Sequence, residues 1–244
     1  MWALAGYRMM EERRSVLITG ASRGFGRALL DYYNFSGWSV VPLGDVGIAE
    51  RLGTELPNCK PIVGDVTHDN VGAAVRGVLR EVSHIDILIN NAGIPGQAVQ
   101  IGSVTPLEVN ALIQTHCLGA LRCTKAALPF MQDGKRIIIN VTSRFGSVIR
   151  QASGEYAGQS ISYSYRIAKA SLNMLSVCLA QELGTQGFVV CAVHPGRLRT
   201  DSGSSDANTE PAEAAKHFAK WVDKIDSSMN GKCFDLENET LMKW

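Results

Sequence analysis

A glycine-rich stretch near the start of the chain constrains the fold more than any other part of the sequence. This stretch, Thr19–Gly26, directly follows the apolar run Val16–Ile18 and opens into a segment of helical composition. A strand, a glycine turn and a helix in this order can bind phosphate, because a helix N-terminus presents free N–H groups and partial positive charge. The sequence therefore predicts a dinucleotide site, although glycines also punctuate ordinary loops. The residues expected to contact the cofactor here are Gly20, Ser22, Arg23, Gly24, Phe25 and Gly26.

Length and composition limit the classes of protein to which this chain can belong. With 244 residues, of which 45% are hydrophobic, it is long enough for one α/β domain with a sizeable core. A net charge of +1 argues against nucleic acid or an anionic membrane as the main partner. No apolar run approaches the roughly 18 residues that span a bilayer, and the first ten residues lack a secretory apolar core. We therefore expect a cytoplasmic protein with one domain over residues 1–244, in which residues 1–13 form a flexible extension.

The cysteines give no sign of a metal or redox motif. They are scattered along the chain without the close pairwise spacing that such motifs require. We expect free, mostly buried thiols in a reducing compartment, and no metal site. The six residues are Cys59, Cys117, Cys123, Cys178, Cys191 and Cys233.

Strand-like and helical segments alternate along the whole chain. The strand-like runs are apolar throughout and do not alternate with polar residues, which indicates a parallel sheet covered on both faces. We therefore expect a single-domain Rossmann fold, a doubly wound parallel sheet of about seven strands with helices on both faces. The predicted strands are 16–19, 38–43, 61–63, 85–90, 136–141, 188–193 and 232–235. The first predicted helix begins at Gly24, and the others cover 48–54, 70–82, 106–131, 162–183 and 211–225.

A tyrosine and a lysine four residues apart form the first candidate for catalysis. Tyr165 and Lys169 would share one face of a helix, one turn apart. A phenol with a pKa near 10 is a poor acid or base at neutral pH unless a cation stabilises its anion. Such a pair is often only a solvated helix face. The preceding strand, however, ends at Ser143, whose hydroxyl would lie at the carboxyl edge of the sheet, where ligands bind.

These motifs occur in the order seen in short-chain dehydrogenases/reductases, and the sequence resembles that family from about Arg14 to Trp244. The similarity is most marked to the carbonyl-reductase subgroup that includes sniffer and the C-factor proteins. The spacing of 22 residues between Ser143 and Tyr165 exceeds the family's commoner gap, an insertion that this subgroup shares. The stretches that carry the resemblance are Thr19–Gly26, Asn90–Gly93, Ser143–Ser147, Tyr165–Asn173, Pro195-Gly196 and Gly231-Lys232.

The resemblance implies a role for each matching residue. Tyr165 would be the general acid for carbonyl reduction and the base for alcohol oxidation. Ser143 would polarise the substrate oxygen, and Lys169 would lower the pKa of Tyr165 and reach the nicotinamide ribose. Further cofactor contacts are implied at the adenine pocket, the ribose and the nicotinamide carboxamide, and they fall on Gly44, Asp45, Asp65, Val66, Asn91, Ala92, Gly93, Tyr165, Lys169, Pro195, Gly196 and Thr200.

The chain departs from the family pattern at the fourth catalytic position. The family has an asparagine on the long helix, whereas this chain has His116 at the matching place. His116 either anchors a relay water in catalysis or is a helix-packing residue, and both interpretations stay open.

The end of the second strand bears on the choice between NAD and NADP. Asp45 stands where NADP-dependent members of the family usually carry arginine, and Gly44 stands where NAD-dependent members carry an acid. A carboxylate near the adenosine ribose would hydrogen-bond the 2′-hydroxyl and repel a 2′-phosphate. Arg23 in the glycine loop favours the opposite preference. The sequence therefore favours NAD, and NADP follows if Asp45 points to solvent.

Two arginines border the expected substrate pocket. Arg144 directly follows Ser143, and Arg197 directly follows Pro195-Gly196. Because arginine recognises carboxylate and phosphate through two parallel hydrogen bonds, the substrate is predicted to carry an anionic group. The alternative is that these arginines form surface ion pairs with acids such as Glu155, Asp201 or Asp206.

The sequence leaves three functions to be compared. The first is an NAD(P)-dependent oxidoreductase acting on a small carbonyl or alcohol, and the complete set of Ser143, Tyr165 and Lys169 favours it. The second is a cofactor-binding regulatory or signalling protein of the C-factor type, and the third is a non-redox isomerase or dehydratase. The long helices 106–131 and 162–183 carry more apolar residues than one buried face needs, which predicts a homodimer or higher homo-oligomer.

Overall fold

A computed structural model describes residues 13–200 and 207–244 of the chain. The expected N-terminal extension therefore lies outside the described residues except for Arg13, whose guanidinium donates to the side chain of Asn58. Within the described ranges no helix is both long and apolar enough to cross a membrane. All six cysteines are free; three are buried, Cys59 and Cys117 are half-buried, and Cys178 is exposed, so fewer are buried than expected.

One sheet of eight strands forms the centre of the molecule. Its spatial order is β3-β2-β1-β4-β5-β6-β7-β8, and all neighbouring pairs are parallel except β7 with β8. The central strands are buried along their whole length, which explains why no polar alternation is seen in the sequence. The strands are β1 (Ser15–Thr19), β2 (Ser39–Gly44), β3 (Ile62–Val63), β4 (Ile87–Asn90), β5 (Ile137–Val141), β6 (Val189–His194), β7 (Cys233–Asp235) and β8 (Thr240–Met242).

The doubly wound Rossmann fold is confirmed, with eight strands in place of the expected seven or so. The additional strand, β8, is three residues long and pairs Cys233 with Met242 and Asp235 with Thr240. Two of its three residues are exposed, so it lacks the apolar run by which the other strands are identified. Its position at the sheet edge needs only one partner strand.

Helices cover both faces of the sheet. One apolar cluster lies under α1 and α8, and the other lies under α3, α5 and α7. The helices are α1 (Gly24–Phe35), α2 (Val46–Glu55), α3 (Val71–Val82), α4 (Pro106–Ile113), α5 (Gly119–Ala127), α6 (Val148–Ala152), α7 (Tyr163–Leu183) and α8 (Pro211–Val222).

Two features of the helices differ from the sequence prediction. The expected single helix 106–131 is divided, because a π-helical turn at Gln114–Leu118 separates α4 from α5 and a 3₁₀ turn at Leu128–Phe130 follows. The insertion between Ser143 and Tyr165 contains the short helix α6, which the sequence did not indicate. The π-helical turn lies beside the segment after β4, where His116 contacts Ile94, and the order of strands reverses between β1 and β4.

Candidate active site

The glycine loop after β1 is fastened to the segment after β4 by short polar contacts. Thr19 Oγ1 accepts hydrogen bonds from the backbone N–H groups of Asn91 and Ala92, both at 3.0 Å. Asn91 Nδ2 returns hydrogen bonds to the carbonyl oxygens of Thr19 and Gly20, both at 3.1 Å. A Cβ on Gly20, whose φ is +66°, would lie 2.7 Å from the Cα of Ala92. The two loops are therefore in backbone contact at the point where the strand order reverses.

The N-terminus of α1 has the features of a phosphate site. Its N-cap, Arg23, makes no side-chain capping bond, so the first N–H groups of the helix are not satisfied by a side-chain cap. A Cβ on Gly24 would lie 3.2 Å from Thr200 Cγ2, which shows that Thr200 covers the loop from the far side. These uncapped donors and the space left by the glycine fit the pyrophosphate of a dinucleotide.

Phe25 has a structural position within this loop. It is 7% exposed and its ring meets Phe218 edge-on, with 5.6 Å between centroids. Its side chain thus belongs to the core between α1 and α8, and only its backbone faces the phosphate site.

The adenosine end of the crevice contains Asp45 and Asp65. Asp45 is the N-cap of α2, and its Oδ1 accepts from the backbone N–H of Ile48 at 3.0 Å. Asp65 Oδ1 accepts from both the backbone and the hydroxyl of Thr67 at 2.8 Å. Burial acts to raise the pKa of Asp65, but these hydrogen bonds outweigh it and the pKa is lowered. The Asp65 carboxylate is thus ionised at neutral pH, and both carboxylates cap local turns.

Val66 and Gly44 form apolar parts of the same region. Val66 is 6% exposed, and a Cβ on Gly119 would lie 2.9 Å from Val66 Cβ, so Val66 is packed against the start of α5. A Cβ on Gly44 would lie 3.3 Å from Ile48 Cγ2. Gly44 therefore lets the first turn of α2 approach the end of β2.

The three predicted catalytic residues come together at the ends of β5 and α7. Ser143 is buried, and its hydroxyl accepts from the backbone N–H of Phe145 at 3.3 Å. Lys169 Nζ donates to the Val141 carbonyl at 2.7 Å and lies 5.7 Å from the centroid of the Tyr165 ring. Tyr165 and Lys169 lie one turn apart on α7, as their spacing predicted.

Burial controls the acidity of this group. It raises the pKa of Tyr165, and a hydrogen bond with Ser143 acts in the opposite direction. It also lowers the pKa of Lys169 to about 7, because a buried ammonium loses its hydration. Lys169 therefore changes its charge close to neutral pH.

His116 lies on the π-helical turn and faces Tyr165. The two rings meet edge-on with 5.6 Å between centroids. His116 Nε2 lies 2.9 Å from the carbonyl oxygen of Ile94, and Nδ1 is buried without a hydrogen-bond partner among the described residues. A Cβ on Gly93 would lie 2.5 Å from the imidazole, so the glycine makes room for the ring.

The charge of His116 is fixed by its surroundings. Burial, together with the nearby Lys169, lowers its pKa to about 3, so the imidazole is neutral at neutral pH. If Nε2 carries the proton donated to Ile94, Nδ1 is an acceptor directed into a buried space.

The two arginines expected at the substrate pocket differ in their surroundings. Arg144 lies with its guanidinium carbon 4.8 Å from the centroid of the Phe145 ring. Arg197 donates through both Nε and Nη2 to Glu237 Oε1, at 2.6 Å each. The acids Asp201 and Asp206, considered as alternative partners, lie outside the described residues. Arg197 is therefore matched by an acid of the protein itself.

Several contacts of the site had no signal in the sequence. Asn173 accepts from the Thr142 hydroxyl at 2.6 Å and donates to the Gly146 carbonyl at 3.1 Å, so it holds the loop on both sides of Ser143. Asp235, the last residue of β7, lies beside Arg150 of α6. Glu237, in the turn that follows, pairs with Arg197 of the loop after β6. Each of these contacts joins positions about 30 or more residues apart in the chain.

The fold and the arrangement of Ser143, Tyr165 and Lys169 define a class, and the family comparison agrees with it. The model of the short chain dehydrogenase family matches residues 14–211, and the chain belongs to that family. It is 33% identical over 161 residues to the C-signal protein of Myxococcus xanthus, covering 66% of this chain and 93% of that protein.

Solved structures show the same relationship. The NADPH-bound carbonyl reductase from chicken fatty liver is 26% identical, with a TM-score of 0.80 over 95% of this chain and 99% of that one. The carbonyl reductase Sniffer of D. melanogaster shares the fold at 24% identity, with a TM-score of 0.82 over 95% of this chain and all of that one. The resemblance to the sniffer and C-factor subgroup is thereby confirmed.

Proposed function

We propose that this protein is an NAD(P)-dependent oxidoreductase that interconverts a small carbonyl compound and its alcohol. The observation that carries the proposal is the convergence of Ser143, Tyr165 and Lys169 beside a glycine loop with uncapped helix N–H groups. Membership of the short-chain dehydrogenase family supports it, as does the likeness to an NADPH-bound carbonyl reductase. When bound, the nicotinamide cofactor supplies or accepts the hydride.

The protein's own residues move the proton. In reduction, the Tyr165 hydroxyl donates its proton to the substrate oxygen, and the Ser143 hydroxyl donates a hydrogen bond to the same oxygen. The Lys169 ammonium, 5.7 Å from the Tyr165 ring, stabilises the phenolate that remains. In alcohol oxidation the same phenolate accepts the proton.

We further propose that His116 takes part in returning the proton to Tyr165. Its Nδ1 is buried without a hydrogen-bond partner among the described residues, and its ring packs edge-on against Tyr165. A water held by Nδ1 would connect this region with Lys169. If His116→Asn and His116→Leu retain the same turnover, His116 is a packing residue only.

A regulatory role is the second candidate. Its support is the similarity to the C-signal protein over most of that protein's length. The complete catalytic set at the end of β5 and on α7 favours the enzyme. A non-redox isomerase or dehydratase has no observation of its own in its favour.

Replacing Tyr165 tests the proposed function directly. Tyr165→Phe removes the transferable proton and keeps the ring, so turnover should fall by about 10²-fold or more while cofactor binding is retained. The measurement is oxidation of NADH and of NADPH with a panel of aldehydes and ketones, together with a cofactor titration. Tyr163→Phe, on the first turn of the same helix, is the matched control. Near-normal turnover in Tyr165→Phe would exclude the assigned role.

We also propose that the protein forms a homodimer through α4, α5 and α7. Of the apolar residues on these helices, Leu112, Leu172 and Leu179 face the core. Leu107, Ile167 and Met174 are instead exposed, at 78%, 43% and 63%. An apolar surface on two adjacent helices is typical of an interface. Sedimentation at micromolar concentration should show a dimer, and Met174→Glu should shift it towards monomer; a monomeric parent protein would refute this assembly.

A further inference from the structure

The end of β7 and the turn that follows it contact two segments that border the proposed substrate site, α6 and the loop after β6. Asp235 Oδ2 lies 3.7 Å from Arg150 Nη1, on α6. Glu237 Oε1 accepts from Arg197 Nε and Nη2, in the loop after Pro195-Gly196. One short turn thus places a carboxylate against each side of the proposed pocket.

Asp235 gives this turn its shape. It is 3% exposed, and its Oδ1 accepts from the backbone N–H groups of Glu237 at 3.1 Å and Asn238 at 3.4 Å. Its Oδ2 accepts from Asn238 Nδ2 at 2.9 Å. The direction of the Glu237 backbone is therefore fixed from beneath by a buried carboxylate, which limits the positions that its side chain can take.

Glu237 makes close contact with the loop that it faces. Its side chain is 17% exposed, compared with 29% for Arg197, so solvent screens this ion pair only in part. Gly196 has a φ of +106° and lies beside Glu237, because a Cβ at position 196 would be 3.6 Å from Glu237 Cβ. The Arg197–Glu237 ion pair and the close approach of Gly196 to Glu237 therefore both hold the loop after β6 against the turn.

The same hairpin also fastens α6. The hydroxyl of Ser147 donates to the carbonyl of Lys243 at 2.6 Å, and the backbone N–H of Ile149 donates to the carbonyl of Trp244 at 3.0 Å. Together with the Arg150–Asp235 pair, these contacts join the insertion to the segment at and after β8. The hairpin is a common support for both borders of the pocket.

A metal site is a less suitable interpretation of this cluster. Ligand atoms of His194, Asp235 and Glu237 lie within 4.8 Å of one another. Both carboxylates, however, already lie beside guanidinium groups. The positive charges of Arg150 and Arg197 would repel a divalent cation at such short range.

We propose that Glu237 is a positioning residue for substrate binding: through Arg197 it fixes the loop after Pro195-Gly196 and so sets one wall of the pocket. This inference rests on the proposed function, because it assumes that a carbonyl substrate lies between that loop and Ser143. Glu237 touches neither the catalytic residues nor the glycine loop. Its loss should therefore weaken substrate binding more than cofactor binding, to which the same loop is expected to contribute through Pro195, Gly196 and Thr200.

The test compares Glu237→Gln with Glu239→Gln. The control residue lies two positions further along the same turn, but its carboxylate faces His217 of α8 at 3.1 Å, on the other side of the sheet edge. For Glu237→Gln we expect KM for 4-nitrobenzaldehyde to rise about 10-fold, the loss of one charged hydrogen bond. The dissociation constants of NADH and NADPH should rise less than KM does.

A second measurement does not depend on turnover. Amide hydrogen exchange of residues 196–200 should quicken in Glu237→Gln and match the parent protein in Glu239→Gln. Glu237→Asp, which keeps the charge on a shorter side chain, should fall between the two. Unchanged exchange of this loop in Glu237→Gln would overturn the proposal, as would an equal rise of KM in both variants. A parent protein that reduces no carbonyl would refute the proposed function, and loop exchange would still decide the role of Glu237.

Discussion

The two halves of the candidate site lie at the same edge of the sheet but are held together by different kinds of contact. On the cofactor side, the loops after β1 and β4 meet backbone to backbone, with glycines where any side chain would collide. On the substrate side, the loop after β6 is fixed by the Arg197–Glu237 ion pair, and α6 is joined to the chain after β8 by hydrogen bonds of Ser147 and Ile149. The backbone contacts of the cofactor side leave no room for an added side-chain atom at the glycines. On the substrate side, one member of an ion pair can be replaced without a steric clash.

This difference leads to different expectations for mutation. A Cβ introduced at a backbone contact cannot be accommodated by rotating a side chain, so the whole loop must move. Removal of one member of a partly exposed ion pair leaves the backbone in place and changes local position and charge. Substitutions on the cofactor side should therefore abolish binding, and those on the substrate side should shift specificity.

The largest effect is expected for Gly26→Ala. The added methyl group would overlap the Gly20 carbonyl and the Asn91 side chain, which together join the two loops. We expect dinucleotide affinity to fall by about 10²-fold or more and stability to drop by roughly 1–3 kcal/mol. Cofactor titration and thermal unfolding measure the two effects.

Gly77→Ala is the matched control for this substitution. Gly77 lies within α3, and a Cβ there would meet no atom within 4 Å. Alanine should stabilise the helix by up to about 1 kcal/mol and leave cofactor affinity unchanged. If both variants bound the cofactor like the parent protein, close backbone packing would not be what forms the dinucleotide site.

A smaller effect, confined to one substrate class, is expected for Arg144→Ala. We propose that Arg144 meets an anionic group of the substrate, because it directly follows Ser143 at the carboxyl end of β5. A charged hydrogen bond contributes about 1.5–3 kcal/mol, so KM for 4-carboxybenzaldehyde should rise roughly 10- to 100-fold. KM for 4-nitrobenzaldehyde should barely change. Arg197→Ala, in contrast, should raise KM for both aldehydes, since it acts through the loop; equal effects of Arg144→Ala on both would refute the anion contact.

The same contrast explains what could be predicted from the sequence. The cofactor half is encoded by neighbours in the chain: an apolar strand, then glycines, then a helix, and Gly20 and Gly24 indeed have positive φ. Tyr165 and Lys169 could be paired because helical spacing alone brings them to one face. The end of the preceding strand at the carboxyl edge of the sheet indicated Ser143, and the family resemblance indicated the position of His116.

Other parts of the site have no local pattern to be recognised. The π-helical turn at Gln114–Leu118 adds one residue to a helical turn. The composition of this segment is that of an ordinary helix, so the sequence does not indicate it. The Arg197–Glu237 pair joins residues 40 positions apart, and any acid of the chain is an equal candidate until the β7–β8 hairpin is known. Long-range pairs of common residue types carry no signal in a single sequence.

The smallest effect, and the one that most sharpens the comparison, concerns Asp45. It is a charged residue on the backbone-built side, and its Oδ1 caps α2 through the N–H of Ile48. We propose that its other oxygen binds the adenosine 2′-hydroxyl, which would favour NAD over NADP. Asp45→Arg should then reverse the order of NADH and NADPH affinities, by roughly 10-fold, which is about 1.4 kcal/mol.

Two roles of Asp45 must be separated for this test to be decisive. Arginine removes both the charge and the helix cap, and loss of the cap alone costs about 1 kcal/mol of stability. Asparagine also caps helices well, so Asp45→Asn removes only the charge. If the charge sets the preference, Asp45→Asn should relax the discrimination against NADPH while its unfolding temperature stays that of the parent. Equal affinities for NADH and NADPH in the parent protein, unchanged in both variants, would mean that Asp45 serves α2 alone, and that the substrate side alone depends on charged side chains.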